Sequence, residues 1–155
     1  MIPLTAAAKP TVDPAPAGAS EVARIAAELV ACGSLEMGAD TPQDAHRIAD
    51  LLPAGTPVYV NHLPRRRLAD TLPALMALSE AGLEPVPHVA VRRIASRAEA
   101  ESFLRQAVAK AGVRKILLIG GDLPEPIGPY AQAADLLRDG LIVDCGVAQV
   151  GFAGY

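Results

Sequence analysis

Short apolar runs alternate with longer amphipathic segments along most of the chain. The plainest run is Ile116-Leu117-Leu118-Ile119, followed by Gly120-Gly121-Asp122. A continuous apolar stretch closed by turn residues predicts a strand buried on both faces. The glycines let the backbone leave the strand sharply, so Asp122 is expected just past its C-terminal end. Further strands are predicted at 33–37, 57–60, 84–89 and 149–155. Between them, apolar residues recur at helical spacing. One helix is predicted over about 20–31, capped by Ser20, with Val22, Ile25, Ala26, Leu29 and Val30 on one face. A second starts at Thr41-Pro42 with Thr41 as cap and runs to Pro53. A third covers about 68–81, where Pro73 kinks it or delays its start, and Gly82 ends it. Ser96-Arg97-Ala98-Glu99 has capping-box spacing and opens a fourth helix, ended by Gly112. A fifth is expected over about 130–145 with Gly146 as its C-cap.

Strict alternation of strand and helix predicts right-handed crossovers and a parallel sheet, hence an α/β fold. Two architectures compete. A doubly wound open sheet fits 155 residues, whereas a (β/α)₈ barrel typically takes about 250. Several strands end in polar residues: Glu36, Asn61-His62, His88, Asp122 and Tyr155. In α/β folds ligands gather at such ends, so one shared site is expected.

Composition narrows the class. Residues 1–18 carry Pro3, Pro10, Pro14 and Pro16 and read as a disordered Ala/Pro-rich tail, leaving 19–155 as one domain. The apolar fraction of 51% comes from Ala, Leu and Val, without Trp, and suits helices laid on a parallel sheet. A net charge of −3 leaves no footprint for nucleic acid. The run Arg65-Arg66-Arg67 reads as a solvated loop or helix start in preference to an anion clamp. Cys32 and Cys145 have no metal-like spacing and read as buried thiols rather than a disulfide. No apolar run reaches the roughly 18 residues of a membrane span, and no secretory signal opens the chain. A cytoplasmic protein is expected, with no membrane and no metal.

Ser34-Leu35-Glu36, Val86-Pro87-His88-Val89, Ile119-Gly120-Gly121-Asp122-Leu123-Pro124 and Gly151-Phe152-Ala153-Gly154-Tyr155 occur in an order that resembles the methylenetetrahydrofolate reductases, most of all their short bacterial branch. The resemblance runs from about residue 33 to the C-terminus. It implies part of a (β/α)₈ TIM barrel, about its N-terminal half, with five parallel strands alternating with helices. It also implies an oxidoreductase of one-carbon metabolism and methionine biosynthesis. That enzyme reduces 5,10-methylenetetrahydrofolate to 5-methyltetrahydrofolate with NAD(P)H, usually as a flavoprotein carrying FAD. By resemblance Glu36 is the catalytic acid, with a pKa raised in a partly desolvated site. Asp122 lies near flavin and pterin, and Asn61, His88, Ile119, Gly120, Gly121 and Tyr155 contact the cofactor.

The chain departs from the family where an arginine often precedes the Gly-Asp pair and here stands Gly120. That removes a guanidinium contact to the cofactor and leaves direct hydride transfer from NAD(P)H as the flavin-free alternative. A non-catalytic folate- or pterin-binding barrel fragment is the other reading. Open edges of a five-strand sheet also leave room for a homo-oligomer.

Overall fold

The computed structural model describes Gly18 and residues 20–153. Apart from Gly18, the segment assigned to a disordered tail lies outside the described residues, and so does Tyr155. Five strands form one sheet: β1 (Leu35–Met37), β2 (Pro57–Val60), β3 (Glu84–Ala90), β4 (Lys115–Ile119) and β5 (Gln149–Phe152). Their order is β1-β2-β3-β4-β5, and every neighbouring pair is parallel. Helices alternate with them: α1 (Glu21–Ala31), α2 (Asp44–Ala49), α3 (Leu72–Glu80), α4 (Arg97–Ala111), α5 (Ala133–Arg138) and α6 (Leu141–Asp144). The strand order follows the chain without reversal. A doubly wound sheet reverses at a switch point, so the described residues do not form one.

The helices pack side by side, α2 on α3 and α3 on α4, over one face of the sheet. Val58, Val60, Ile116 and Leu118 point into that layer and meet Leu75, Leu78, Phe103 and Leu104. On the other face no helical layer among the described residues covers the strands. Leu117 and Ile119 are therefore only half-buried, which corrects the expectation that β4 is buried on both faces.

Capping chemistry explains much of the helix placement. Ser20 accepts from the Ala23 amide and starts α1; Ser96 accepts from Glu99 and starts α4. Gly112, at φ 62°, ends α4 in the left-handed conformation that glycine tolerates best. Pro73 delays α3, and Leu68–Thr71 forms a 3-10 turn before it.

Four expectations are corrected. Thr41 does not cap α2: its hydroxyl donates to the Gly38 carbonyl, and the helix starts at Asp44. The helix expected over 130–145 is two short helices, because Gly140 at φ 79° breaks the path between them. The apolar stripe of α1 is not packed, and Val22, Leu29 and Val30 stay exposed. Both cysteines are free thiols, but only Cys145 is buried. No helix among the described residues is long and apolar enough to cross a membrane.

Candidate functional site

Register places the candidate side chains. Glu36 pairs with Tyr59, and Tyr59 with Val86. His88, two residues beyond Val86, pairs with Leu117, which pairs with Gly151. Paired positions in a parallel sheet share a face, and so do residues two apart along a strand. Glu36, Tyr59, His88, Leu117 and Ile119 therefore share the face that the helices leave open. The Tyr59 and His88 rings meet edge to face at 5.8 Å between centroids. A side chain at Gly151 would press on Leu117 Cδ1 at 3.1 Å, so glycine keeps the face shallow there.

Three of the predicted residues come together at β1, β2 and β3. Asn61 Nδ2 donates to Glu36 Oε1 over a long 3.5 Å, and Asn61 Oδ1 accepts from the Ala39 amide at 3.4 Å. Burial lowers the His88 pKa from its ordinary 6.5, and the nearby Glu36 charge pulls the other way. The imidazole is thus neutral at pH 7 and offers one donor and one acceptor. Glu36 itself is exposed. The desolvated setting expected of a proton donor is absent among the described residues. Glu36 lines a concavity of about 580 Å³ together with Thr41, Asp44 and Arg47 beside α2.

Asp122 sits elsewhere. It lines a second concavity, of about 560 Å³, with His62, Arg92, Ile119, Gly120 and Gly121 at the C-terminal ends of β2, β3 and β4. Arg93 Nε donates to Asp122 Oδ1 at 2.9 Å, and this bond holds the carboxyl below its usual range. Arg92 Nη1 donates to the Leu123 carbonyl at 3.0 Å and Nε to the Ala131 carbonyl at 2.9 Å. The Arg92 guanidinium also stands beside Gly120, 3.7 Å from where a Cβ would lie.

The expectation of one shared pocket is therefore corrected: the two carboxylates line different concavities. Glu36, Asn61 and His88 are brought together, and Ile119, Gly120, Gly121 and Asp122 form a second group. Sequence reasoning missed Arg92 and Arg93, the pair that ties down the loop after β4. It noted His62 without giving it a role. His62 is buried, its Nε2 bonds the Arg66 carbonyl at 3.0 Å, and its Nδ1 has no partner among the described residues. Burial lowers its pKa from 6.5. Among the described residues no cluster of three or more His, Cys, Asp or Glu side chains is placed to hold a metal ion. No known family model matches the sequence.

Proposed function

We propose that the chain is a methylenetetrahydrofolate reductase-like oxidoreductase, its five sequential strands being part of a (β/α)₈ barrel. The observation that carries this reading is the convergence of Glu36, Asn61 and His88, from three adjacent strands, on the helix-free face of the sheet. In a barrel that face is the interior, and sites lie toward the C-terminal strand ends. The substrate is a one-carbon folate, NAD(P)H is the co-substrate, and the setting is cytoplasmic. A second copy of the chain covers an open sheet edge.

The residues present fit a flavin. The exposed face carries Tyr59, Leu117 and Ile119 around a shallow point at Gly151, which suits a planar ring. His88 and Asn61 would hold its polar edge, and the bare backbone of Gly120 and Gly121 allows close approach. When bound, FAD would relay a hydride from NAD(P)H. Asn61 orients the Glu36 carboxyl for proton delivery to the leaving nitrogen of the folate's five-membered ring. A ligand lying over the face supplies the desolvation that Glu36 lacks by itself. Arg93 holds Oδ1 of Asp122, leaving the other oxygen to accept from N–H groups of a ligand long enough to span both concavities.

The test is Glu36→Gln in the full chain. Folate reduction should fall by about 10²–10⁴-fold, as for loss of a general acid, while NAD(P)H oxidation by an artificial acceptor persists. Equal loss of both reactions would refute the assigned role. The exposure of Glu36 favours one second reading, a folate-binding protein without turnover. Calorimetric binding of methyltetrahydrofolate with no NAD(P)H oxidation would select it.

A further inference from the structure

The basic run Arg65-Arg66-Arg67 takes no part in the reaction above, yet the structure does not leave it as a loose solvated loop. A groove of about 580 Å³ is lined by these three arginines and by Arg93, together with Glu99 and Leu123. The run is anchored from below. The Arg66 carbonyl can only accept, so the buried His62 donates its Nε2–H to it at 3.0 Å. The Arg67 amide donates to Asp70 Oδ2 at 2.9 Å. Arg65 holds a left-handed backbone at φ 65°, alone among the described non-glycine residues. That conformation is costly for an arginine and easy for glycine.

Charge in the groove is unevenly matched. Arg67 faces Asp70 at 3.6 Å, and Arg93 bonds Asp122. Glu99 is occupied by the Ala95 amide at 2.8 Å. Arg65 and Arg66 have no carboxylate partner among the described residues. The start of α4 borders the same groove, through Ala95 just before the cap Ser96 and Glu99 in the first turn, and adds the positive end of a fifteen-residue helix.

The geometry points to a phosphate-binding groove, in which Arg65 and Arg66, with Arg93 in the same lining, take the phosphoryl groups of a small ligand of the pyrophosphate class. Guanidinium groups match phosphate oxygens in paired hydrogen bonds. A phosphate at Arg93 competes with Asp122 and so links this groove to the concavity that Asp122 lines. The assignment is independent of the reductase reading.

Inorganic pyrophosphate titrated into the full chain at low ionic strength is the probe, followed by calorimetry. One saturable site is expected, weakening as salt rises. In the double variant Arg65→Gly/Arg66→Ala the affinity should fall by about tenfold or more, with melting unchanged or raised because glycine relieves the left-handed strain. Arg66→Glu should lose binding as well, and Arg114→Ala, distant from the groove, should keep it. NADPH displacing pyrophosphate would assign the groove to a dinucleotide. Pyrophosphate binding without displacement would assign it to another phosphorylated small molecule. No saturable binding at millimolar pyrophosphate, equal loss in Arg114→Ala, or tighter binding of duplex DNA would overturn the inference.

Discussion

Replacing Gly128 by alanine tests how firmly the loop after β4 is seated. The added Cβ would stand 2.2 Å from the Ile94 carbonyl oxygen and 2.6 Å from that of Ala95. A carbon–oxygen contact relaxes at about 3.3 Å, so two backbone segments must part by about 1 Å. Neither can yield freely. Ile127 donates to the Arg92 carbonyl at 2.9 Å, and Arg92 clasps the loop at Leu123 and Ala131. Overpacking of this kind costs about 1–3 kcal/mol. For a chain of this size that lowers the melting temperature by about 2–12 °C. Gly120→Ala, in the same loop, is the control. Its Cβ meets only the Arg92 guanidinium at 3.7 Å, without a left-handed backbone, so stability should hold or rise by about 0.4–1 kcal/mol. Thermal melts and urea titrations of the two variants decide the matter. A neutral Gly128→Ala, or a Gly120→Ala that costs as much, would refute the argument that backbone contact fixes the loop.

Four further outcomes are expected. Tyr130 is 3% exposed and donates to Asp139 Oδ2 at 2.7 Å, so Tyr130→Phe should destabilise by about 1.5–3 kcal/mol in urea titrations. Burial, then the bond to Asp139, pushes the Tyr130 pKa from 10.0 up to about 12. The unfolded chain therefore ionises first, the stabilisation is complete below pH 10, and it is lost as pH rises toward 12. Ultraviolet titration should find a late phenolate that Tyr130→Phe removes, and an unchanged titration curve in that variant would contradict this. His62 and His88 both have folded pKa values lowered from 6.5, so below that pH the unfolded state binds more protons and stability should fall. Urea midpoints should drop from about pH 7 to about pH 5, less steeply in His88→Gln, and a flat profile would count against burial of the two rings. Arg93→Ala should return the Asp122 carboxyl toward its ordinary titration range, read by carbon NMR, and an unmoved titration would show that the ion pair does not hold it.

Local signals in the sequence located most elements because each was carried by chemistry within a few residues. Ser20, Ser96 and Gly112 set helix ends through bonds to their near neighbours, and Pro73 set a helix start through its missing N–H. The failures were of two kinds. Gly140 interrupts a continuous apolar pattern with a single left-handed residue, a break that periodicity does not register. The stripe on α1 was read as a packing face, but whether a stripe is covered depends on what the rest of the fold places over it. The same holds for β4: its apolar run was legible, while the half-burial of Leu117 and Ile119 was not.

The site was half legible for a geometric reason. Glu36, Asn61 and His88 belong to adjacent strands, and adjacent strand ends in a sequential parallel sheet meet automatically once the register is right. Asp122 lies in the loop just past β4, three strand steps from β1. At about 4.8 Å per step the flat separation is about 14 Å, beyond any direct contact between the carboxylates. Only curling of the sheet, or a ligand long enough to cross it, brings the two to one task. Sequence could show that Glu36 lies in a strand and that Asp122 follows one. It could not show that Arg93, 29 positions before Asp122, would capture that carboxylate and fix its direction. The polar ends of strands thus specify where chemistry can gather, and long-range ion pairs decide which of those ends act together.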